Sequence, residues 1–420
     1  MMPASSSERA ESLRFRMDGW FRMNNDNAVR RILVFLLTCF LLPSCIWKTA
    51  SAQENATTRQ PTIELHGYVK SLSAIQFQST LDSAISSAII HNRLTCSLNI
   101  SNALTGHLEV RNRIFYGEDV KLMPGFGNAI ADDPGYLNLS VLWVDARAVV
   151  VNSIADRAYV KYDDGSWDFR LGRQRINWGI NTIWNPNDLF NAYNFLDFDY
   201  EERPGTDAIR AQYSLGTNAS AEADFAPSRI ANNAVAAALI RWNVSGYDLQ
   251  VLAGMYRTDF VAGFGWAGSI AEAGFKGELS YFHPRSQSLD STDAFEASLT
   301  LDHTLGQYYL VLSGLYNSLA SNAPEDFSLL SSRALSPKNL MPFRYTVYAS
   351  GLHSFSPLVS ASVALIYSPR FNSTIFFPML TYSLAQDVDA DLVAESYFND
   401  ASGAFRTSGN ALFLRIRLSF

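Results

Sequence analysis

The sequence predicts an all-β protein: a closed transmembrane antiparallel barrel of about 16–18 strands, with one long loop at 180–206 folded inward. Three observations carry this. Apolar and polar residues alternate with period two in segment after segment; 13% of residues are aromatic while only 17% are charged; and an export signal precedes the alternating region. Soluble domains carry about 25% charged residues, so the chain is depleted in charge. Its formal charge of −7 argues against a nucleic-acid binder. The aromatic content argues against disorder. The three cysteines lack the paired spacing of a disulfide framework or a zinc module.

The N-terminus has the three parts of a secretory signal. Arg30 and Arg31 precede the apolar run Ile32 to Trp47, and Ala50-Ser51-Ala52 follows as a small-x-small exit. The run is shorter than the roughly 20 residues a membrane helix needs. Residues 1–52 therefore read as a signal peptide. Initiation at Met23 would give it ordinary length, which makes 1–22 a candidate untranslated stretch. Leu42-Pro43-Ser44-Cys45 is a weaker, lipoprotein-like alternative, because Pro43, Ile46 and Trp47 fit that cleavage poorly. Cleavage after Ala52 removes Cys39 and Cys45 and leaves Cys96 alone, so disulfides do not hold the exported chain. Residues 53–61 form a short polar tail, and 62–420 the barrel.

The strand pattern is clearest at the end of the chain. Leu412, Leu414, Ile416, Leu418 and Phe420 share one parity, and Phe413, Arg415, Arg417 and Ser419 the other. Side chains of a strand alternate between its two faces, so one face is apolar and the other carries two arginines. Ile63, Leu65 and Val69 oppose Glu64, His66, Tyr68 and Lys70 in the same way. Leu94, Cys96, Leu98 and Ile100 oppose Arg93, Thr95, Ser97 and Asn99. Leu108 and Val110 oppose His107, Glu109, Arg111 and Arg113, and Phe295 to Leu301 oppose Glu296 to Asp302. A soluble sandwich would turn the apolar faces inward; a membrane barrel turns them to lipid and keeps a polar lumen. Export, and polar faces that mix Arg with Glu, favour the barrel. No repeat of 20–50 residues exists beyond the hairpin rhythm.

Barrels of this kind have short turns at one end and longer loops at the other. Short connections fall at Asn102–Thr105, Asp163–Ser166, Leu215–Asn218, Val244–Gly246, Thr304–Gly306, Ser354–Pro357 and Asp387–Asp391. Longer ones fall at 118–148, 180–206, 226–233, 284–292, 318–342 and 399–410. The stretch 257–283 must supply an extra hairpin, with Phe260–Gly268 as a Gly-rich strand, for the alternation to hold. With it there are about 18 strands, and without it about 16, both even as bacterial barrels require.

The most distinctive stretch runs from Asp156 to Gln212. A hairpin turns at Asp163-Asp164-Gly165, with Asp-Gly as its turn signal. Ala158, Val160 and Tyr162, then Trp167, Phe169 and Leu171, face lipid; Arg157, Lys161, Asp168 and Arg170 face the lumen. Strict parity beyond Leu171 would put Arg173 and Arg175 into lipid, at about 2–4 kcal/mol for an arginine at the midplane. A one-residue bulge at Gly172 would turn both inward and send Ile176 and Trp178 out to the aromatic girdle.

The loop 180–206 that follows carries Asp188, Asp197, Asp199, Glu201 and Glu202 against Arg203. It is rich in Asn and aromatics, and a long ordered loop in a compact fold is usually functional. Its carboxylates are expected to face Arg170, Arg173, Arg175 and Arg210 on the wall, with Arg111 and Arg113 as further candidates. Opposed charges across a constriction would set ion selectivity. The plainer reading, salt bridges that pin the loop, is compatible with this. Trp178, Trp184, Asn185, Pro186 and Asp188 are the expected loop anchors. Trp178, Trp184, Tyr193 and Phe195 could instead stack on a sugar, but Trp and Tyr concentrate at membrane interfaces and packed loops.

The run LGRQRINWGINTIWNPNDLFNAYNFLDFDYEERPG resembles a signature of uncharacterised porin-like outer-membrane proteins of Bacteroidota type. The specific likeness covers Asp156 to Tyr213. It implies an outer-membrane barrel of a Gram-negative bacterium rather than an enzyme, and no agreed substrate. The aromatic ending at Phe420 is similar to the terminal signal by which the barrel-assembly machinery recognises such proteins. The six histidines lie outside HExxH- or GxSxG-type motifs, so no catalytic residue is assigned. Asp197, Asp199 and Glu201 at period two could offer oxygens to Ca²⁺ but lack EF-hand spacing, so no metal or cofactor is assigned. The expected function is passive diffusion of small polar solutes through an outer-membrane channel narrowed by the loop. Its partners would be lipid and solute, without nucleic acid. A substrate-specific transporter or binder, or a closed barrel serving as a structural partner, is the alternative.

Overall fold

The computed structural model describes residues 61–192, 199, 205–286, 292–320, 336–401 and 404–420. The expected signal peptide, the stretch 1–22 and nearly all of the tail lie outside them. Nineteen strands are present among the described residues, and eighteen close one antiparallel barrel. The first hairpins are β1 (Thr62–Phe77), β2 (Ile85–Asn99), β3 (Leu104–Gly117), β4 (Ser140–Ala146), β5 (Val149–Asp163) and β6 (Trp167–Gln174). Then come β7 (Thr206–Ser214), β8 (Ala219–Ala226), β9 (Val235–Val244), β10 (Tyr247–Tyr256), β11 (Asp259–Ile270) and β12 (Ala273–Pro284). The circle is completed by β13 (Ala294–Leu305), β14 (Tyr308–Asn317), β15 (Tyr345–Ser356), β16 (Val359–Ser368), β17 (Ser373–Ala385), β18 (Val388–Ala401) and β19 (Ala404–Ser419).

Closure pairs β1 with β19, from Tyr68 opposite Ser419 to Phe77 opposite Asn410. The last residue is part of this seam: Phe420 N–H donates to the Gly67 carbonyl and Gly67 N–H to the Phe420 carbonyl, both at 2.9 Å. Along this seam the ladder leaves no backbone edge bare, as a strand protein in hydrocarbon requires. The parity read from the sequence sets the two faces. Leu412, Leu414, Ile416 and Leu418 are 43–49% exposed on the outside, whereas Lys70 and Arg93 are buried on the inside.

The turns at one end are tight. Ser245 and Gly246 both take positive φ, 52° and 82°, which is the type I′ geometry that matches strand twist. The extra hairpin expected at 257–283 exists as β11 and β12, joined at Ala271-Glu272, and fixes the barrel at eighteen strands. The loop expected at 399–410 does not exist as such: β18 and β19 pair through to Ala401 opposite Ala404. That segment is polar and small, which reads as loop, but a ladder above the lipid needs only its backbone bonds.

One departure from a plain barrel positions the site. β5 pairs with β3 along one edge. Its other edge pairs with β6 through Ala158–Asp163 and with β4 through Val149–Ile154. β6 therefore leaves the wall at Gln174, and the short β4 takes its place. The expected bulge at Gly172 is absent, since β5–β6 pairing runs through it without a register shift. The extra residue is Asp156, skipped where Glu109 faces Arg157 and Val110 faces Ala155. Gly172 bends the chain differently, with φ of 121°, and a Cβ there would strike the Ala158 carbonyl.

Candidate functional site

The chain leaving β6 enters the barrel at Arg175 and lies inside it through residue 192. Its neck is closed by Ile176 N–H donating to Asn191 Oδ1 (2.8 Å) and Asn191 Nδ2 to Thr206 Oγ1 (2.9 Å). Ile176 and Trp178, expected on the lipid side, are fully buried among Leu189, Ala208, Leu239, Leu252 and Phe282. Of these, Ala208, Leu239, Leu252 and Phe282 are wall residues that face the lumen, so the two side chains point into the bore and not to the girdle. Parity cannot be carried past Gln174 because the strand ends there.

Trp178 anchors the loop with all its polar groups. Its Nε1–H donates to Glu222 Oε1 at 2.8 Å, its carbonyl accepts from Gln250 Nε2 at 2.8 Å, and its N–H meets Asp188 Oδ1 at 3.4 Å. Asp188 is itself buried. Trp184 sits in a second cluster with Leu315, Phe343, Ile366 and Ile375, and its carbonyl accepts from Ser298 Oγ. The Pro186 carbonyl accepts from Ser280 Oγ at 2.9 Å. Asn185 is buried, and its carbonyl receives the Asp188 N–H.

The sequence reading missed the residue at the centre of this clasp. Glu278 on β12 accepts the N–H groups of Ile180, Asn181 (2.8 Å) and Asn187 (2.9 Å). It is fully buried. Its only signal in the sequence is an acidic residue at an inward parity position, which many wall residues share. The loop is thus fixed to the inner face of β8 through β18.

The opposite arc, β19 through β5, is basic. Lys70, Arg93, Arg111, Arg113, Arg157 and Arg415 sit at inward positions there. Asp156 receives Arg93 (2.8 Å) and Arg111 (2.9 Å). Glu109 receives Arg93, Arg157 (3.3 Å) and His107 (2.7 Å). Arg113 donates to Asn152 Oδ1 and the Ile130 carbonyl. Arg417 lies over the Tyr68 ring at 4.6 Å. Two short helices not anticipated in the sequence, α1 (Glu118–Leu122) and α2 (Phe126–Ala131), lie along this arc; the Phe126 and Phe115 rings meet edge-on at 5.4 Å.

The expected pairing of loop carboxylates with wall arginines takes another form. Asp199 does reach across, to Lys70 Nζ (2.6 Å) and Arg415 Nη1 (3.7 Å), but neither cation was among those named. Arg170 is held by Asp168 of its own strand, and Arg210 by Glu222 of the next. Arg173 binds Asp207 and Asp133. Arg175 is half-buried just past the end of β6. Asp197, Glu201, Glu202, Tyr193, Phe195 and Arg203 lie outside the described residues. Short-range partners on adjacent strands outcompete distant ones, because a preformed neighbour costs less side-chain entropy to engage.

At the fork, Asp133 receives Arg173 Nη1 at 2.8 Å and the N–H groups of Leu139 (2.7 Å) and Gly135 (3.0 Å). Burial works to raise its pKa, but the Arg173 hydrogen bond and the two amides outweigh it and hold the carboxyl below the ordinary range. Among the described residues, no cluster of His, Cys, Asp and Glu could hold a metal ion.

No family model and no curated protein matches the chain. Solved structures do. OccAB4 of Acinetobacter baumannii superposes with a TM-score of 0.53 at 10% identity, covering 86% of this chain and 99% of its own. OccK5 of Pseudomonas aeruginosa gives 0.55 at 7% identity, covering 85% and 98%. OpdK of Pseudomonas aeruginosa, in its structure with vanillate, gives 0.53 at 10% identity, covering 85% and 99%. At these identities the likeness is one of fold: the chain has the closed eighteen-strand barrel of Gram-negative outer-membrane porins.

Proposed function

We propose that the protein is a porin-like channel of the outer membrane for passive diffusion of small polar solutes, favouring anions. The observation that carries this reading is the excess of lumen-facing cations on the arc β19 through β5, where Lys70, Arg93, Arg111, Arg113, Arg157 and Arg415 meet Asp156, Glu109, Asp199 and Asp391. The side chains of Arg111, Arg157 and Arg415 keep 18%, 15% and 12% exposure to the bore. Charged side chains that line a pore set its selectivity at close quarters. The loop 180–206 narrows the passage, with Asp199 against Lys70 and Arg415 as its charged contact. An eighteen-strand barrel is wide enough for an aqueous channel.

The test is planar-bilayer conductance of the purified protein under a KCl gradient. Wild type is expected to prefer chloride over potassium, and Arg111→Gln with Arg157→Gln to move the reversal potential toward zero. A non-conducting wild type, or selectivity unmoved by the pair, overturns the reading. Two apolar clusters bolt the loop to the wall, which favours a second reading, a substrate-specific transporter. OpdK has been seen with vanillate, an aromatic carboxylate, so vanillate flux into liposomes discriminates: saturation marks the specific transporter, and flux linear in concentration marks simple diffusion.

A further inference from the structure

We infer that Asp199 is a displaceable clasp across the bore: as a tethered carboxylate it occupies the cationic wall position that an anionic solute takes, and such a solute widens the passage by replacing it. The inference rests on the channel reading above and names how that passage is controlled. The registers set the row in which the clasp sits. Lys70 stands opposite Arg417 on β19 and opposite His91 on β2, and His91 stands opposite Arg113 on β3. The row therefore sets three cations and one imidazole side by side on the inner wall. Among the described residues, His91 Nε2 is buried without a hydrogen-bond partner. Lys70 turns to Asp199, 129 positions along the chain: its Nζ donates to Oδ1 at 2.6 Å and to the Asp199 carbonyl at 3.0 Å. Arg415 Nη1 lies 3.7 Å from the same Oδ1. The Lys70 side chain is 0% exposed, whereas Asp199 keeps 18%, so the carboxylate faces the bore and the ammonium is withdrawn beneath it.

Residues 176–191 and Asp199 are fastened in different ways. The former are held by two apolar clusters and by three N–H groups on Glu278. A passing anion cannot compete for those contacts, because it brings neither apolar surface nor a backbone N–H. Asp199 is held on the opposite arc by charge. There an anion offers Lys70 and Arg415 the same kind of oxygen, and exchanging one carboxylate for another keeps the charge-assisted bonds equal in kind. Arg415 is also gripped by Asp391, Nε to Oδ2 at 2.9 Å, which leaves Lys70 as the main holder of the clasp.

Concentration then decides the occupant. A tethered group acts at an effective concentration of about millimolar, so a free anion of equal affinity displaces it at about millimolar levels. Displacement has a steric consequence besides the electrical one. With Asp199 off the wall, the strand of contacts that crosses the bore is broken, and an uncharged solute passes more easily too. Wall charge alone alters the flux of ions and leaves the flux of a sugar unchanged, so a neutral solute separates the clasp from a plain charge effect.

The experiment is arabinose entry into liposomes that carry the full-length protein, with the reversal potential in a KCl gradient measured on the same preparations and heat-modifiability showing that each barrel is intact. Asp199→Asn is expected to raise arabinose flux by up to roughly fivefold, equivalent to about 1 kcal/mol. Lys70→Gln breaks the clasp from the other side and is expected to raise it as well, although the two variants shift the reversal potential in opposite directions. Asp199→Glu keeps wild-type flux. Potassium acetate, equal on both sides, speeds arabinose entry through wild type at about millimolar levels and leaves Asp199→Asn unaffected. Equal arabinose flux in wild type and both clasp variants, none in any of them included, overturns the inference. A rise in only one of the two, no response of wild type to acetate, or an acetate response that persists in Asp199→Asn overturns it too. A wild type that prefers potassium, with arabinose flux raised in both variants, overturns the anion preference and upholds the clasp.

Discussion

Arg173 grips Asp207 side-on, Nε donating to Oδ1 and Nη2 to Oδ2, both at 2.9 Å. The pair sits where β6 leaves the wall and β4 replaces it. Arg173 also donates to Asp133 and to the carbonyls of Leu137 and Ala155, so one guanidinium ties four chain segments at the only place where the described wall changes strand. A planar fork can satisfy that many acceptors; a lysine ammonium cannot reproduce it.

Arg173→Ala leaves two carboxylates buried without their cation. Breaking a buried pair from one side costs about 3–5 kcal/mol. The expected outcome is a loss of that size in chemical unfolding followed by tryptophan fluorescence. Arg173→Lys recovers only part of it. A loss under about 1 kcal/mol for Arg173→Ala would show that the fork is held by its backbone pairing instead.

The same cluster sets an acid limit. Asp133 titrates below the ordinary carboxylate range in the folded protein, so the unfolded chain binds the proton first as pH falls. Its stabilisation is full above the usual carboxylate pKa and is lost as pH drops through the depressed folded value. Asp133→Asn should lower stability at neutral pH and flatten the slope of stability against pH on the acid side. An unchanged acid slope in that variant would remove Asp133 from the account.

How far the sequence reaches is visible by comparing Arg415 with Trp178. Arg415 lies in a strand whose parity is unbroken to the chain end, and its inward position follows from period two alone. Trp178 follows a strand that stops at Gln174, where the ladder is handed to β4, and β4 ends 28 residues before β6's last residue in sequence. Local periodicity holds no record of a non-local exchange of partners, so both its direction and the role of Glu278 were beyond reach. The loop itself was legible from its length and aromatic content. Its electrostatic partners were not, because Lys70 and Arg415 are as basic as a dozen other wall residues.

The burial of Trp178 has an optical consequence. Lipids brominated on their acyl chains quench tryptophans in contact with hydrocarbon. Removing Trp178 by Trp178→Phe should leave the quenched fraction of the signal unchanged in absolute amount, because the ring lies inside the bore. Trp242→Phe, at an outward position of β9 opposite Leu249, should reduce it. Trp178→Phe keeps most of the packing and loses one hydrogen bond to the Glu222 carboxylate, a change of about 1.5–3 kcal/mol. A fall in quenching for Trp178→Phe matching that for Trp242→Phe would return this residue to the lipid girdle.

Glu278 is where loop and wall separate experimentally. The barrel ladder closes without it, so Glu278→Ala should insert and resist denaturant almost as wild type does. The loop loses the acceptor for three amides, and each buried N–H left without a partner costs about 1–3 kcal/mol. That penalty falls on the docked position of residues 176–191 alone. The expected signature is larger and noisier single-channel conductance, with new protease cleavage within that segment from the outside, while global unfolding moves little. Glu278→Gln, which keeps one carbonyl oxygen in place, should lie between. A quiet, wild-type conductance in Glu278→Ala with an intact loop would mean that the apolar clusters around Trp178 and Trp184 hold the segment unaided.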